Sequence, residues 1–216
     1  MSCRQCDGIE KEFDSRVARR ELRKYRRSGP RKTTRILIEA VQQRAKGTTL
    51  LDVGGGVGVI PFELFKAGVR RAVAVEASSA YLQAARQEAD RRGVADRVVY
   101  RHGDFVEVAH QIEAADIVTL DRVICCYPDL DALIDASAMR ARIYYALVYP
   151  RDDRWMGALR TVINLFFRIR RSPMRFFLHA SERVEGAVRR HGFALQTYRK
   201  TPLWLVAVYR RKEVPA

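Results

Sequence analysis

The chain has 216 residues, 48% hydrophobic and 30% charged, which suits one globular α/β domain and excludes a disordered polymer or two full-sized domains. Its net charge of +15 is uneven: residues 1–46 carry 14 basic and 6 acidic side chains, 47–150 carry 11 and 14, and 151–216 carry 15 and 5. Basic flanks around an acidic middle attract anions, be they nucleic acid, an acidic membrane surface or an acidic small molecule; arginines that far outnumber lysines can also serve only as solubilising groups.

Residues 10–27 read as one exposed, charge-rich helix with Phe13, Val17 and Leu22 as sparse apolar positions, broken by Ser28-Gly29-Pro30. A second helix follows over 33–45, with Ile36, Leu37, Ala40 and Val41 on one face, ended by Gly47. From residue 48 the pattern alternates. Strands are predicted over 48–53, 72–76, 97–101, 115–120 and 143–148, and helices over 57–67, 79–92 and 130–138. Ser78 or Ser79 caps the helix at 79 and Gly93 closes it. The end of the chain changes character: a helix over 181–191 stops at Gly192, and two alternating runs, 193–200 and 203–211, form a hairpin around Thr201-Pro202. The expected fold is α/β: a seven-stranded, mostly parallel sheet with a C-terminal antiparallel hairpin and helices on both faces. Its parts are a helical N-terminal extension, 1–46, and one domain, 47–216, that carries an insert over 152–179.

The first predicted strand runs into Asp52-Val53-Gly54-Gly55-Gly56-Val57-Gly58 and then a helix. Strand, glycine turn and helix together make a nucleotide-binding device, because glycines let backbone approach a ligand and the helix start offers free N–H groups. A dinucleotide fold requires G-x-G-x-x-G, but the sixth position is Val59 counted from Gly54 and Pro61 counted from Gly56. A pyrophosphate also disfavours a carboxylate at the turn, whereas a cationic ligand tolerates Asp52; alternatively, Asp52 merely caps its own turn.

Asp52-x-Gly54-x-Gly56-x-Gly58 resembles the first motif of the class I S-adenosylmethionine (SAM) dependent methyltransferases. The resemblance continues with Glu76 (and Ala77 beside it) at the end of the second strand, 22 residues after Gly54, and implies that Glu76 accepts the ribose hydroxyls of the cofactor. It implies that Asp104 meets the adenine amino group, that Phe105 packs on the ring, and that Leu120 and Asp121 face cofactor and acceptor. Gly55 completes the turn. The cofactor expected is SAM, leaving as S-adenosylhomocysteine.

The stretch Asp121 to Asp129 lacks the Asn-Pro-Pro-Tyr type motif of amino-methylating enzymes, and Cys125-Cys126 does not resemble a nucleophilic Pro-Cys. These two cysteines read as packing residues. With Cys3/Cys6 they suit a metal poorly, since adjacent thiols seldom face one ion; reduced thiols and no metal are expected. The longer layout is similar to that of the magnesium-protoporphyrin IX O-methyltransferase group: a helical extension, Asp121-x-x-Ile124, a strand ending in Tyr149-Pro150-Arg151, a basic apolar insert and a final hairpin. That likeness favours a small apolar acceptor with an anionic group, methylated on oxygen.

The insert places Trp155, Leu159, Val162, Ile163, Phe166 and Ile169 on one stripe and Arg160, Asn164, Arg168 and Arg171 on another. Such a cationic amphipathic helix can be a lid over the acceptor, an interfacial membrane contact spanning 155–177, or a plain cover for the sheet. A carboxylate or thiolate acceptor requires no general base; a hydroxyl does, and the candidates are Asp121, Tyr127, His179 and Tyr25. Tyr25, Arg151, Trp155 and Arg175 are the candidate acceptor contacts. An RNA methyltransferase using the basic flanks, and a SAM-binding protein without transfer, remain alternatives; an NAD(P) oxidoreductase is more distant. Met1 to Glu10 holds charges and cysteines in place of an apolar signal core, and no uncharged apolar run reaches membrane-spanning length, so a cytoplasmic site is expected, with or without membrane association.

Overall fold

A computed structural model describes residues 4–212; Cys3, and with it half of the N-terminal C-x-x-C, lies outside the described residues. Three helices lead in: α1 (Arg4–Glu12), α2 (Ser15–Ser28) and α3 (Lys32–Gln42). The single helix expected over 10–27 is thus two. Asp14 divides it: its Oδ1 accepts the N–H groups of Arg16 and Val17, both at 2.9 Å, and so starts a new helix where the old one would have continued. Nor is the second of these helices simply exposed, since α2 buries Ala18, Leu22 and Tyr25.

The alternating body follows as β1 (Thr49–Val53), α4 (Val59–Lys66), β2 (Arg71–Glu76), α5 (Ser79–Arg92), β3 (Val98–His102), α6 (Phe105–Val108), β4 (Ala115–Asp121), α7 (Leu130–Ala138) and β5 (Ala141–Pro150). Then come α8 (Arg154–Ile169), α9 (Ser181–Arg190) and the hairpin β6 (Phe193–Lys200) and β7 (Trp204–Arg211). The sheet order is β3-β2-β1-β4-β5-β7-β6, parallel except where β7 runs antiparallel between β5 and β6. Ser78 caps α5 through its hydroxyl, 3.2 Å from the Tyr81 N–H.

Both faces of the sheet are covered, which is why β4 and β5 read as nearly continuous apolar runs. One core holds Leu37, Val41, Leu50, Ile60, Leu64 and Val206 under α2 to α5; the other holds Leu51, Leu120, Leu133, Tyr145, Val188 and Phe193 under α6, α7 and α9. Tyr145 is fully buried because Ser137 Oγ meets its hydroxyl at 2.6 Å. Strand order reverses between β1 and β4, and ligands of parallel α/β sheets bind at the carboxyl ends of the strands beside such a switch.

The apolar stripe expected on the insert is split between two faces of α8. Met156 is buried and Leu159, Ile163 and Phe167 are half-buried against the protein, while Trp155, Val162, Leu165, Phe166 and Ile169 stand exposed. No residue of α8 lines the cavity at the strand ends; Met174 and Phe176, in the extended segment beyond it, do. The part of the insert that covers the site is therefore this segment and not the helix.

Candidate active site

A cavity of about 370 Å³ opens at the carboxyl ends of β1, β2 and β4. Its floor is the glycine turn. Gly54 sits at φ +65°, where a side chain would be strained, and an added Cβ would lie 2.5 Å from Val123 Cγ2. A Cβ on Gly55 would lie 2.6 Å from Asp52 Oδ2, so only glycine lets the carboxylate tuck beneath the turn.

Three carboxylates converge here. Asp52 is 1% exposed; its Oδ1 accepts from Thr119 Oγ1 at 2.6 Å, and its Oδ2 has no hydrogen-bond partner among the described residues. Burial, opposed by the Thr119 bond and helped by repulsion from Asp121 and Glu76, pushes this carboxyl up to about 8. Glu76, also buried, accepts the Gly56 N–H on Oε2 at 2.9 Å and the Ser78 N–H on Oε1 at 3.0 Å. Burial raises it above the ordinary carboxyl range while those N–H groups pull it back. Asp121 Oδ2 accepts from Thr34 Oγ1 at 2.5 Å; its Oδ1 has no hydrogen-bond partner among the described residues and lies 3.7 Å from the Arg122 Nε. Burial raises this carboxyl too, against the pull of Arg122.

A pocket with two buried carboxylates and a half-buried third, two of them with an oxygen that has no hydrogen-bond partner among the described residues, suits a cationic ligand and repels a pyrophosphate. SAM carries a sulfonium and an ammonium group, and the residues present fit it. Glu76 is held by backbone N–H groups on the cavity wall, where its carboxylate can accept a hydroxyl donor. Ala77, Asp104 and Phe105 continue the wall beyond Glu76.

Asp104 caps α6 through the Val106 N–H at 3.0 Å and accepts from the Tyr127 hydroxyl at 3.0 and 3.1 Å. Tyr127 is therefore joined to the carboxylate that follows β3 and not to the acid at the end of β4. Cys6 brings its thiol 3.8 Å from Asp104 Oδ2, while Cys125 is buried with its Sγ 3.9 Å from that of Cys126.

The remaining sequence candidates scatter. Tyr25 lines the cavity, yet its hydroxyl donates to Glu63 at 2.6 Å and the residue is 5% exposed. Gly58 caps α4 and Leu120 lies in the core, neither on the cavity wall. Arg151 pairs with Asp153 at 2.6 Å, Trp155 faces outward, and Arg175 turns its guanidinium onto the Ser172 and Met174 carbonyls; all three lie off the wall. His179, also off the wall, has Nε2 3.1 Å from the Tyr127 carbonyl, and burial holds its ring below the ordinary histidine value.

Sequence reasoning missed the residues that gather beside Asp121. Arg122 adopts φ +64°, lies with its guanidinium 5.3 Å from the Trp204 ring centre, and donates through Nη2 to Thr33 Oγ1 at 2.7 Å and Thr34 Oγ1 at 3.2 Å. Its Nη1 donates to no one among the described residues. Arg31 and Lys24 stand on the same cavity wall, Arg31 paired with Glu21. No local signal marks them, because α2, α3, β4 and β7 must first pack together.

The roof is formed by two chain segments that meet. Gln5 donates from Nε2 to the Arg175 carbonyl at 2.8 Å and accepts the Arg175 N–H at 3.1 Å. Ser78 Oγ donates to the Phe13 carbonyl at 2.7 Å, and Ser79 N–H donates to Glu10 at 2.8 Å, which ties α1 to the start of α5.

Comparison with known proteins agrees with this geometry. A family model described as a methyltransferase domain matches residues 44–180. The ribosomal protein L11 methyltransferase of Syntrophomonas wolfei is 23% identical over 190 residues, 86% of this chain and 52% of its own, so the chain spans about half the length of that curated relative. Magnesium protoporphyrin IX methyltransferase from Synechocystis PCC 6803 with S-adenosylhomocysteine superposes with TM-score 0.72 at 18% identity, covering 96% of this chain and 100% of that one. An O-methyltransferase family protein from Burkholderia thailandensis gives 0.71 at 21% identity, covering 94% and 62%. Geranyl diphosphate C-methyltransferase from Streptomyces coelicolor gives 0.68 at 14% identity, covering 83% and 77%. The chain belongs to the methyltransferase domain family, with the class I fold and S-adenosylmethionine as its cofactor.

Proposed function

We propose that this protein is a methyltransferase that acts on a small, partly apolar acceptor carrying an anionic group, with oxygen as the methylated atom. The observation that carries the reading is Arg122 stacked on Trp204 beside Asp121, at the β4 and β7 end of the cavity, with Arg31 on the same wall acting on Asp121. A guanidinium with a free Nη1 binds a carboxylate or phosphate well, and an indole face takes a planar or aliphatic body. Geranyl diphosphate, which a neighbouring structure binds, is likewise an apolar chain with an anionic end, and that supports the reading.

When bound, SAM supplies an electrophilic methyl carbon on a sulfonium leaving group. Asp52, Glu76 and the turn amides orient it, and the roof of Cys6, Ile9, Met174 and Phe176 excludes water. With SAM bound, the lone pair of the acceptor would form the new bond to that carbon and the carbon–sulfur pair would go to sulfur. An ionised carboxylate acceptor loses no proton. A hydroxyl acceptor gives its proton to Asp121 Oδ1, which has no hydrogen-bond partner among the described residues and belongs to a carboxyl that burial raises above its ordinary value.

The test is transfer of labelled methyl from SAM to a panel of aromatic and aliphatic carboxylates and phosphates, with tRNA and ribosomal protein alongside. Label in the amphipathic anions is expected. Label confined to RNA or protein would overturn the acceptor assignment.

A further inference from the structure

Half of the exposed large hydrophobic residues of the described chain lie on one helix. Trp155, Val162, Leu165, Phe166 and Ile169 are 48%, 64%, 54%, 52% and 72% exposed. At 100° per residue they fall, with Ala158, within an arc of about 100° on α8, opposite the side that holds Met156, Ile163 and Phe167. Arg154 and Arg168 border that arc on one side and Arg170 on the other, with Arg160 and Arg171 further round. From Arg154 to Arg171 there are five arginines and no acidic residue. Among the described residues only Arg170 meets a carboxylate, Glu12 at 3.5 Å.

We propose that α8 docks this protein on an anionic lipid surface, its apolar stripe set at the acyl boundary and its arginines on the headgroups. An unpartnered apolar stripe of this size is costly in water, and a basic border selects an acidic plane. A second copy of the chain is a poor occupant, because a two-fold contact across α8 would oppose one arginine set with another. The placement also serves the site. Asn164, on α8, accepts the Phe176 N–H at 2.8 Å and donates to the Phe176 carbonyl at 2.9 Å, and Phe176 lines the cavity. A docked α8 would therefore hold the cavity roof at the membrane, where an apolar anionic acceptor partitions. Docking itself does not depend on the acceptor reading.

Co-sedimentation of the purified protein with vesicles of phosphatidylcholine, alone or with phosphatidylglycerol, tests it. Binding to the anionic vesicles only, weakened by salt, is expected. Phe166→Asp with Ile169→Asp should reduce that binding about tenfold or more, with the melting temperature and SAM affinity retained. Arg154→Gln with Arg168→Gln, which keeps the stripe intact, should weaken binding to anionic vesicles and leave neutral ones unaffected. No sedimentation with anionic vesicles, or undiminished sedimentation of both variants, would overturn the proposal. So would a wild-type dimer that Phe166→Asp dissociates, or RNA binding that the arginine variant abolishes while vesicle binding stays.

Discussion

Thr119 Oγ1 donates a 2.6 Å hydrogen bond to Asp52 Oδ1 across the β1–β4 pair, where the two residues face each other. The bond fixes the carboxylate so that its second oxygen lies under the turn with no partner among the described residues. Burial raises Asp52 to about 8 from an ordinary value of 3.8, so between those pH values the folded, cofactor-free protein holds a proton that the unfolded chain has released. This contribution makes stability fall as pH rises from about 4 to about 8, and level off above that. A bound cation reverses the preference. SAM binding should release a proton below pH 8 and tighten as pH rises towards about 8. Calorimetry in two buffers of different ionisation enthalpy measures the release directly. Asp52→Asn should abolish it, and a wild type that releases none would refute the cationic role of this pocket.

Glu76 joins the turn to the start of α5, through Gly56 N–H and Ser78 N–H, and presents its carboxylate on the cavity wall for the ribose. Glu76→Ala removes both the bonds to ligand and the caps. Cofactor affinity should drop by about 1.5–3 kcal/mol per lost charged hydrogen bond, a factor of roughly ten to somewhat over a hundred for one. Glu76→Gln keeps one acceptor oxygen and should fall between the two in direct SAM binding. Equal affinities in all three proteins would show that this side chain does not touch the cofactor.

The wall formed by the glycine turn, Glu76, Ala77, Asp104 and Phe105 could be located in the sequence because these residues sit at strand ends that the alternation itself marks, although Gly58 and Leu120 lie off that wall. Glu76 closes one predicted strand and Asp121 directly follows another, and the failed dinucleotide register of the glycines is a local fact. The acceptor half could not be located in this way. Arg122 follows β4 directly, but its value depends on Trp204, on Thr33 and on a positive φ, none of which neighbours it by pattern. Arg151 and Arg175 looked equally suitable and turned out to serve Asp153 and local carbonyls. The stripe expected on the insert divides between two faces, with Leu159 and Ile163 against the protein and Trp155, Val162, Phe166 and Ile169 outward, because periodicity cannot tell which side of α8 the protein occupies. The split of the N-terminal helix at Asp14 was missed because a capping carboxylate in a charge-rich run resembles any other acid.

Arg122 holds a left-handed backbone that costs a non-glycine residue about 1 kcal/mol, strain that persists where the side chain is needed. Arg122→Gly relieves it but loses the hydrogen bonds to Thr33 and Thr34, each worth about 1 kcal/mol, so the melting temperature should move little. SAM affinity should stay close to wild type, while KM for an anionic acceptor rises at least about tenfold, the value of one charge-assisted hydrogen bond. Arg122→Lys, which keeps charge but lacks the planar fork, should recover only part of it. An unchanged KM with a lowered kcat would instead place this residue in the chemical step.

Gly8 lies on α1 where the helix crosses the segment that follows α8. A Cβ there would stand 2.4 Å from the Met174 nitrogen and 2.7 Å from its Cα, backbone atoms that cannot swing aside. Gly8→Ala must push α1 away from that segment, at the expense of the paired bonds between Gln5 and Arg175. Because Cys6 and Ile9 on one side and Met174 and Phe176 on the other roof the cavity, the displacement opens the site. Overpacking of this kind costs about 1–3 kcal/mol, so SAM should dissociate at least several-fold faster in a stopped-flow chase. Gly157→Ala on α8 is the control: its Cβ would meet nothing within 4 Å, and alanine in a helix gains up to about 1 kcal/mol over glycine. Equal dissociation rates for the two variants would show that α1 does not close over the cofactor.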